Sequence, residues 1–292
     1  MSRLHEMMDE IERQRRMGNF HGAENLAKIE MKEYELQSNT PYYNFYRGLL
    51  WYLYDFPFDA MAHFNNSPLT EDKDMFYVHK FKGVVNLENG KYDEALIHFQ
   101  AAMGLTSSQA DVVAITNCLG NTYLRIGNSQ RALELYSEAL QISYDSGLDD
   151  WTETTLSNVG VAHINMGDNK GSMKFFEDAL ELSRAIGDAR GERICLNNLA
   201  GAFNNMGKHS EALELFEEAL KKASQIDDKF GVRIAYSNIG YTYRLLDKPD
   251  KAMNYYTMAL DQARQIGDHP GENMAQYWIN SLREGKKRFV AP

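Results

Sequence analysis

Residues 196–220 read LNNLAGAFNNMGKHSEALELFEEAL. Leu196, Leu199, Phe203 and Met206 recur at i, i+3, i+7 and i+10, the spacing of one apolar face of an α-helix. Asn197, Asn198, Gly201, Asn204 and Asn205 fall on the opposite face. Gly207 stops this helix as a glycine C-cap does, and Ala212, Phe216 and Ala219 belong to a second one. Asparagine costs ~0.5 kcal/mol against alanine inside a helix. Four of them within 196–207 therefore mark a face that is either solvated or built to touch something.

The same pattern returns along the chain. Gly127, Gly167, Gly207 and Asp247 stand forty residues apart, as do Ala139, Ala179, Ala219 and Ala259, each followed by leucine. Tyr136, Phe176, Phe216 and Tyr256 keep the same step. Twelve residues before Ala132, Ser172, Ala212 and Ala252 sits a small residue, Gly120, Gly160, Ala200 or Gly240. Each unit thus reads helix, tight turn, helix. The small residues let the two helices approach closely, and the aromatic fills the space beside them. One such pair cannot bury its own apolar face, so neighbours must stack.

Small residue, aromatic, turn, alanine, aromatic, alanine: this order resembles the tetratricopeptide repeat, with a longer second helix than the usual form. Units at 111–147, 151–187, 191–227 and 231–267 match closely. The unit at 72–106, with Gly83, Gly90, Ala95, Phe99 and Ala102, has nearly standard length. Two more are degenerate, at 41–68 (Gly48, Ala60, Phe64) and 2–38 (Gly18, Ala23), and 271–285 looks like a solitary capping helix. The resemblance implies an all-α solenoid: a right-handed superhelix of about seven helix pairs plus the C-terminal cap. The expected organisation is a divergent N-terminal part over 1–70, a regular array over 71–285 and a tail over 286–292, with a bend at Ser67-Pro68-Leu69-Thr70.

Composition narrows the function classes. Apolar residues make up 43% and aromatics 12% of 292 residues, enough to bury a core. The net charge of −10 argues against nucleic acid, and Lys286-Lys287-Arg288 is the only basic cluster. The charged N-terminus lacks an apolar signal segment, and no apolar run is long enough to span a bilayer. Cys118 and Cys195 stand far apart in no metal-binding spacing. A cytoplasmic protein follows, with no membrane partner, metal or other cofactor.

No Gly-rich phosphate loop, nucleophile elbow, paired metal-binding histidines or calcium loop occurs, so no catalytic residues are assigned. Residues 42–58, YYNFYRGLLWYLYDFPF, hold nine aromatics in seventeen positions. A divergent repeat packing with large side chains accounts for roughly half to two-thirds of them, since a helix buries about half its face. The remainder offers a second interaction site or a contact with another copy of the chain.

The position two before the small residue carries Cys118, Asn158, Asn198 and Asn238. In tetratricopeptide proteins it faces the concave groove, so the resemblance implies a row of amides along that groove. Asn121, Asn165 and Asn205 extend the polar strip, Arg193 and Arg233 stand near its edge, and Arg125 and Arg244 are further candidates. A side-chain amide offers both a donor and an acceptor and can match the backbone of an extended peptide. The other reading is that these asparagines bond across neighbouring helices for structural reasons. The segment G-E-R…L-N-N-L-A at 191–200 looks like Pins-type adaptors, which hold linear peptides, and like the Rap and NprR receptors for short signalling peptides. The carboxylate clamp of chaperone adaptors is not reproduced: Lys80 stands at its first lysine, but Val84 and Cys118 replace the asparagines that should follow. The expected partner is another protein or a linear peptide. The resemblance implies either a non-catalytic adaptor or a bacterial regulator controlled by a signalling peptide.

Overall fold

The computed structural model describes residues 3–16, 20–53, 57–69, 72–106 and 108–284. These hold fifteen α-helices and no strand. Gly18, Tyr54, Phe56, Thr70 and the tail over 286–292 lie outside them. The chain divides into two compact units, Met1–Met166 and Gly167–Pro292.

The described residues of the first unit form α1 (Arg3–Arg16), α2 (Phe20–Leu36), α3 (Thr40–Leu53), α4 (Pro57–Asn65), α5 (Asp72–Glu88), α6 (Tyr92–Met103), α7 (Gln109–Ile126), α8 (Ser129–Asp145) and α9 (Asp149–Asn165). Consecutive helices pack on one another, and α5, α7 and α9 also touch in series. Leu4, Met8 and Ile11 of α1 share one apolar cluster with Phe45, Tyr46, Phe64, Phe81 and Phe99. The divergent N-terminal helices are thus continuous in their core with the repeats that follow. Phe45 and Tyr46 of the aromatic segment are fully buried there, whereas Trp51 and Tyr52 are half-buried.

The second unit holds α10 (Asn169–Ile186), α11 (Ala189–Asn205), α12 (His209–Gln225), α13 (Lys229–Leu245), α14 (Pro249–Ile266) and α15 (His269–Arg283). Again each packs on the next, and α11 touches α13 directly, so these two form one layer with α12 behind it. Trp278 and Ile279 of α15 pack against Ala252, Tyr256, Ala259 and Leu260.

The period of the sequence has a direct steric cause. A Cβ added to Gly120 would fall 2.4 Å from the Tyr136 ring, and one added to Gly83 2.5 Å from Phe99. Where helix meets helix, the chain needs a left-handed residue: Gly127, Gly167 and Gly207 have φ of 91°, 81° and 76°, and Asp247 takes the same conformation at 54°. A second series, Gly147, Gly187, Asp227 and Gly267, does the same between pairs.

Candidate peptide-binding face

Most of the asparagines that opened the sequence reading join neighbouring helices. Asn204 is buried, donates to Thr242 Oγ1 at 2.7 Å and lies 3.0 Å from His209 Nδ1. Asn205 donates to Asn169 Oδ1 at 3.0 Å. Asn197 accepts from the Asn238 amide at 3.2 Å. In the first unit the same ladder recurs, with Asn158 donating to Asn117 Oδ1 at 2.9 Å and Asn117 donating to Thr155 Oγ1 at 2.8 Å. Thus Asn158 and Asn238 are already committed by one donor each. Asn198 differs: it is half-buried and makes no side-chain hydrogen bond among the described residues.

Asn121 has a local duty. Its Oδ1 accepts the hydroxyl proton of buried Tyr136 at 2.7 Å. Where phenylalanine replaces this tyrosine, at 176 and 216, the residues matching Asn121 are Val161 and Gly201. No hydroxyl needs an acceptor there. The Asn121 acceptor is thus committed within its own repeat. Asn165 ends α9 and is exposed.

Arg193 and Arg233 also depart from expectation. Helices α11, α13 and α15 each begin with an aspartate N-cap: Asp188, Asp228 and Asp268 accept backbone N–H bonds from Gly191, Gly231 and Gly271 at 2.9, 2.8 and 2.9 Å. Arg193 places Nε 3.0 Å from Asp228 Oδ2, and Arg233 places Nε 2.9 Å from Asp268 Oδ2. Both arginine side chains are largely buried. Burial pulls the Arg193 guanidinium below its ordinary pKa, and the Asp228 carboxylate opposes that shift. A Cβ on Gly231 would meet Asp228 Oδ2 at 2.6 Å and Arg193 Cδ at 2.8 Å, so glycine is required where the two groups converge. These arginines hold one repeat to the next and are not available to a ligand carboxylate.

What remains open is a face across α11 and α13. Arg190, Ile194, Asn198, Gly201 and Asn205 share one side of α11, and Phe230, Ile234, Asn238, Tyr241 and Leu245 occupy the matching side of α13. None of the ten is buried. The α11 side is largely polar. Phe230, Tyr241 and Leu245 expose 48%, 38% and 37% of their surface and make the α13 side apolar. Phe230, Ile234, Tyr241 and Leu245 form this apolar line at i, i+4, i+11 and i+15, a spacing legible in the sequence but absent from the expected polar strip. Beside it, Arg244 lies flat between aromatic rings, 4.9 Å from the Tyr241 centroid and 4.7 Å from that of Trp278. No group of three or more possible metal ligands forms among the described residues, and no described helix is long and apolar enough to cross a membrane.

The family model described as tetratricopeptide repeat matches residues 111–185, 151–225 and 192–265. No curated protein matches the chain by sequence. Among solved structures, a Rap protein complexed with Competence and Sporulation Factor is similar at 16% identity and a TM-score of 0.70, over 95% of this chain and 86% of that one. Aspartyl phosphate phosphatase F from Bacillus subtilis is similar at 11% identity and a TM-score of 0.62, over 91% and 76%. A signal transduction ATPase with a tetratricopeptide repeat sensor, from Pyrococcus horikoshii, is similar at 15% identity and a TM-score of 0.62. The match covers 92% of this chain but only 47% of that larger protein.

Proposed function

Because the chain belongs to the tetratricopeptide repeat family, we propose that it is a non-catalytic, cytoplasmic interaction module that holds an extended peptide segment of a partner across α11 and α13. One observation carries this reading: Asn198, half-buried on the open face, makes no side-chain hydrogen bond among the described residues. Such an amide can exchange its water for the N–H and C=O of a ligand backbone. The exposed apolar line of α13 supports the same reading, since alternate side chains of an extended peptide need an apolar surface.

A second reading is a regulator controlled by a short free peptide. The observation favouring it is the similarity in fold to a Rap protein complexed with Competence and Sporulation Factor, which extends over 95% of this chain. Partners that co-purify with the chain distinguish the two. A folded protein with a disordered tail supports the adaptor, and a secreted short peptide the regulator.

The face itself is tested with linear peptides selected from a random displayed library against the full chain. One lost amide bond is worth about 0.5–1.5 kcal/mol net, so Asn198→Ala should weaken a selected peptide several-fold. Its melting temperature should stay level or rise, alanine being the better helix former. A variant that melts lower yet binds its peptide normally overturns the reading.

A further inference from the structure

Gly201 stands in the middle of α11, where glycine is a weak helix former. Several other helix glycines have a packing reason. A Cβ at Gly48 would fall 2.9 Å from Phe64 and one at Gly240 3.0 Å from Tyr256, and Gly191 and Gly271 face the N-cap carboxylates of Asp188 and Asp268. A Cβ added at Gly201 would meet no atom within 4 Å. Among the described residues no packing contact requires glycine there. The matching places in neighbouring repeats carry Asn121, Val161 and Tyr241, so the repeat itself admits a side chain.

The gap has a chemical setting. Asn198, whose amide makes no hydrogen bond among the described residues, precedes Gly201 by three residues and shares its side of the helix. Tyr241 and Leu245 are exposed on the matching side of α13. In a chain of net charge −10 this face carries no carboxylate at any of its ten positions, and its one charge is Arg190. With no carboxylate to hold a cation, it complements a ligand that is apolar and carries no net positive charge.

We propose that Gly201 is the crossing point of the bound peptide. The missing side chain lets the ligand main chain lie directly against α11, a common use of glycine. There it meets the Asn198 amide, while its apolar side chains rest on Tyr241 and Leu245. The ligand class is an extended peptide with large apolar side chains and no net positive charge. This inference rests on the peptide-binding reading of the same face.

The probe is a fluorescently labelled linear peptide selected from the random displayed library. Gly201→Ala should melt at the same or a higher temperature, yet bind the peptide about tenfold more weakly, because a methyl group enters a close contact. Gly201→Leu should abolish measurable binding while remaining folded. Recovered peptides should be rich in apolar residues and carry no net positive charge; a library output dominated by lysine and arginine overturns the charge argument. Full binding by both glycine variants, with Asn198→Ala impaired, overturns the crossing point and leaves the peptide face standing. A lowered melting temperature for Gly201→Ala also overturns it, since the glycine would then serve packing. A native dimer that Gly201→Leu disrupts would assign the face to a second copy of the chain. If no library peptide binds, or Asn198→Ala binds as the native chain does, the peptide reading falls and the crossing point with it.

Discussion

The amide of Asn238 donates to Asn197, 3.2 Å away on the preceding repeat. Asn197→Ala leaves that half-buried donor without its acceptor, a larger cost than the helix propensity gained. A loss of about 1 kcal/mol by urea denaturation is expected, against none for Asn198→Ala. Equal stability for both variants would show that the ladder adds nothing.

Arg193 and Asp228 form a deeply buried ion pair joining two repeats, with side chains 7% and 3% exposed. Removing one partner of such a pair strands the other charge and costs about 3–5 kcal/mol. Arg193→Ala should therefore unfold at much lower denaturant concentration than the native chain. A change under about 1 kcal/mol would place the pair among solvated surface bridges.

Asn121 and Tyr136 provide a rescue experiment. Asn121→Ala orphans a buried hydroxyl and should cost about 1–3 kcal/mol. Tyr136→Phe in the same chain should restore most of that loss, reproducing the phenylalanine found at 176 and 216. An additive double variant would refute the coupling.

His79 and His98 bring their Nδ1 atoms within 3.0 Å of each other, one donating and one accepting. Burial, with His79 and Lys82 nearby, pushes His98 down to about 4, and burial with Lys82 lowers His79. Both are therefore neutral in the fold but gain protons when unfolded, at an ordinary pKa of about 6.5. Their contribution is complete above that value and is lost as pH falls toward the folded pKa. Melting temperatures at pH 7 and pH 5 should differ less for His98→Gln than for the native chain. An unchanged difference would show that the pair does not couple to folding.

The fold was legible because its causes repeat. Gly127, Gly167, Gly207 and Asp247 announce left-handed turns, and Gly120 with Tyr136 announces a close helix contact. The site was less legible, because polarity alone does not separate a buried cation from an exposed one. Arg193 reads as a ligand-facing charge until Asp228, thirty-five residues on, is seen to cap the next helix of its layer. Asn197 and Asn238 are one period plus one residue apart, a spacing that could have announced their bond. Gly201 could be read as one more small residue of a helix pair. Its register, one residue past that of Gly120 and Gly240, and the empty space around it separate it from them.

The Arg193–Asp228 and Arg233–Asp268 links have a consequence for cooperativity. Repeats joined only by apolar contact can fray one at a time, as a string of loosely coupled segments. Here, detaching α15 frees Asp268 and leaves Arg233 as a lone buried guanidinium, which in turn weakens the seat of α13. Asn273 stands where the next arginine of the series would fall, so the linkage ends with α15. Partial unfolding from that end is penalised at its first step, and the second unit should lose its structure in a single transition.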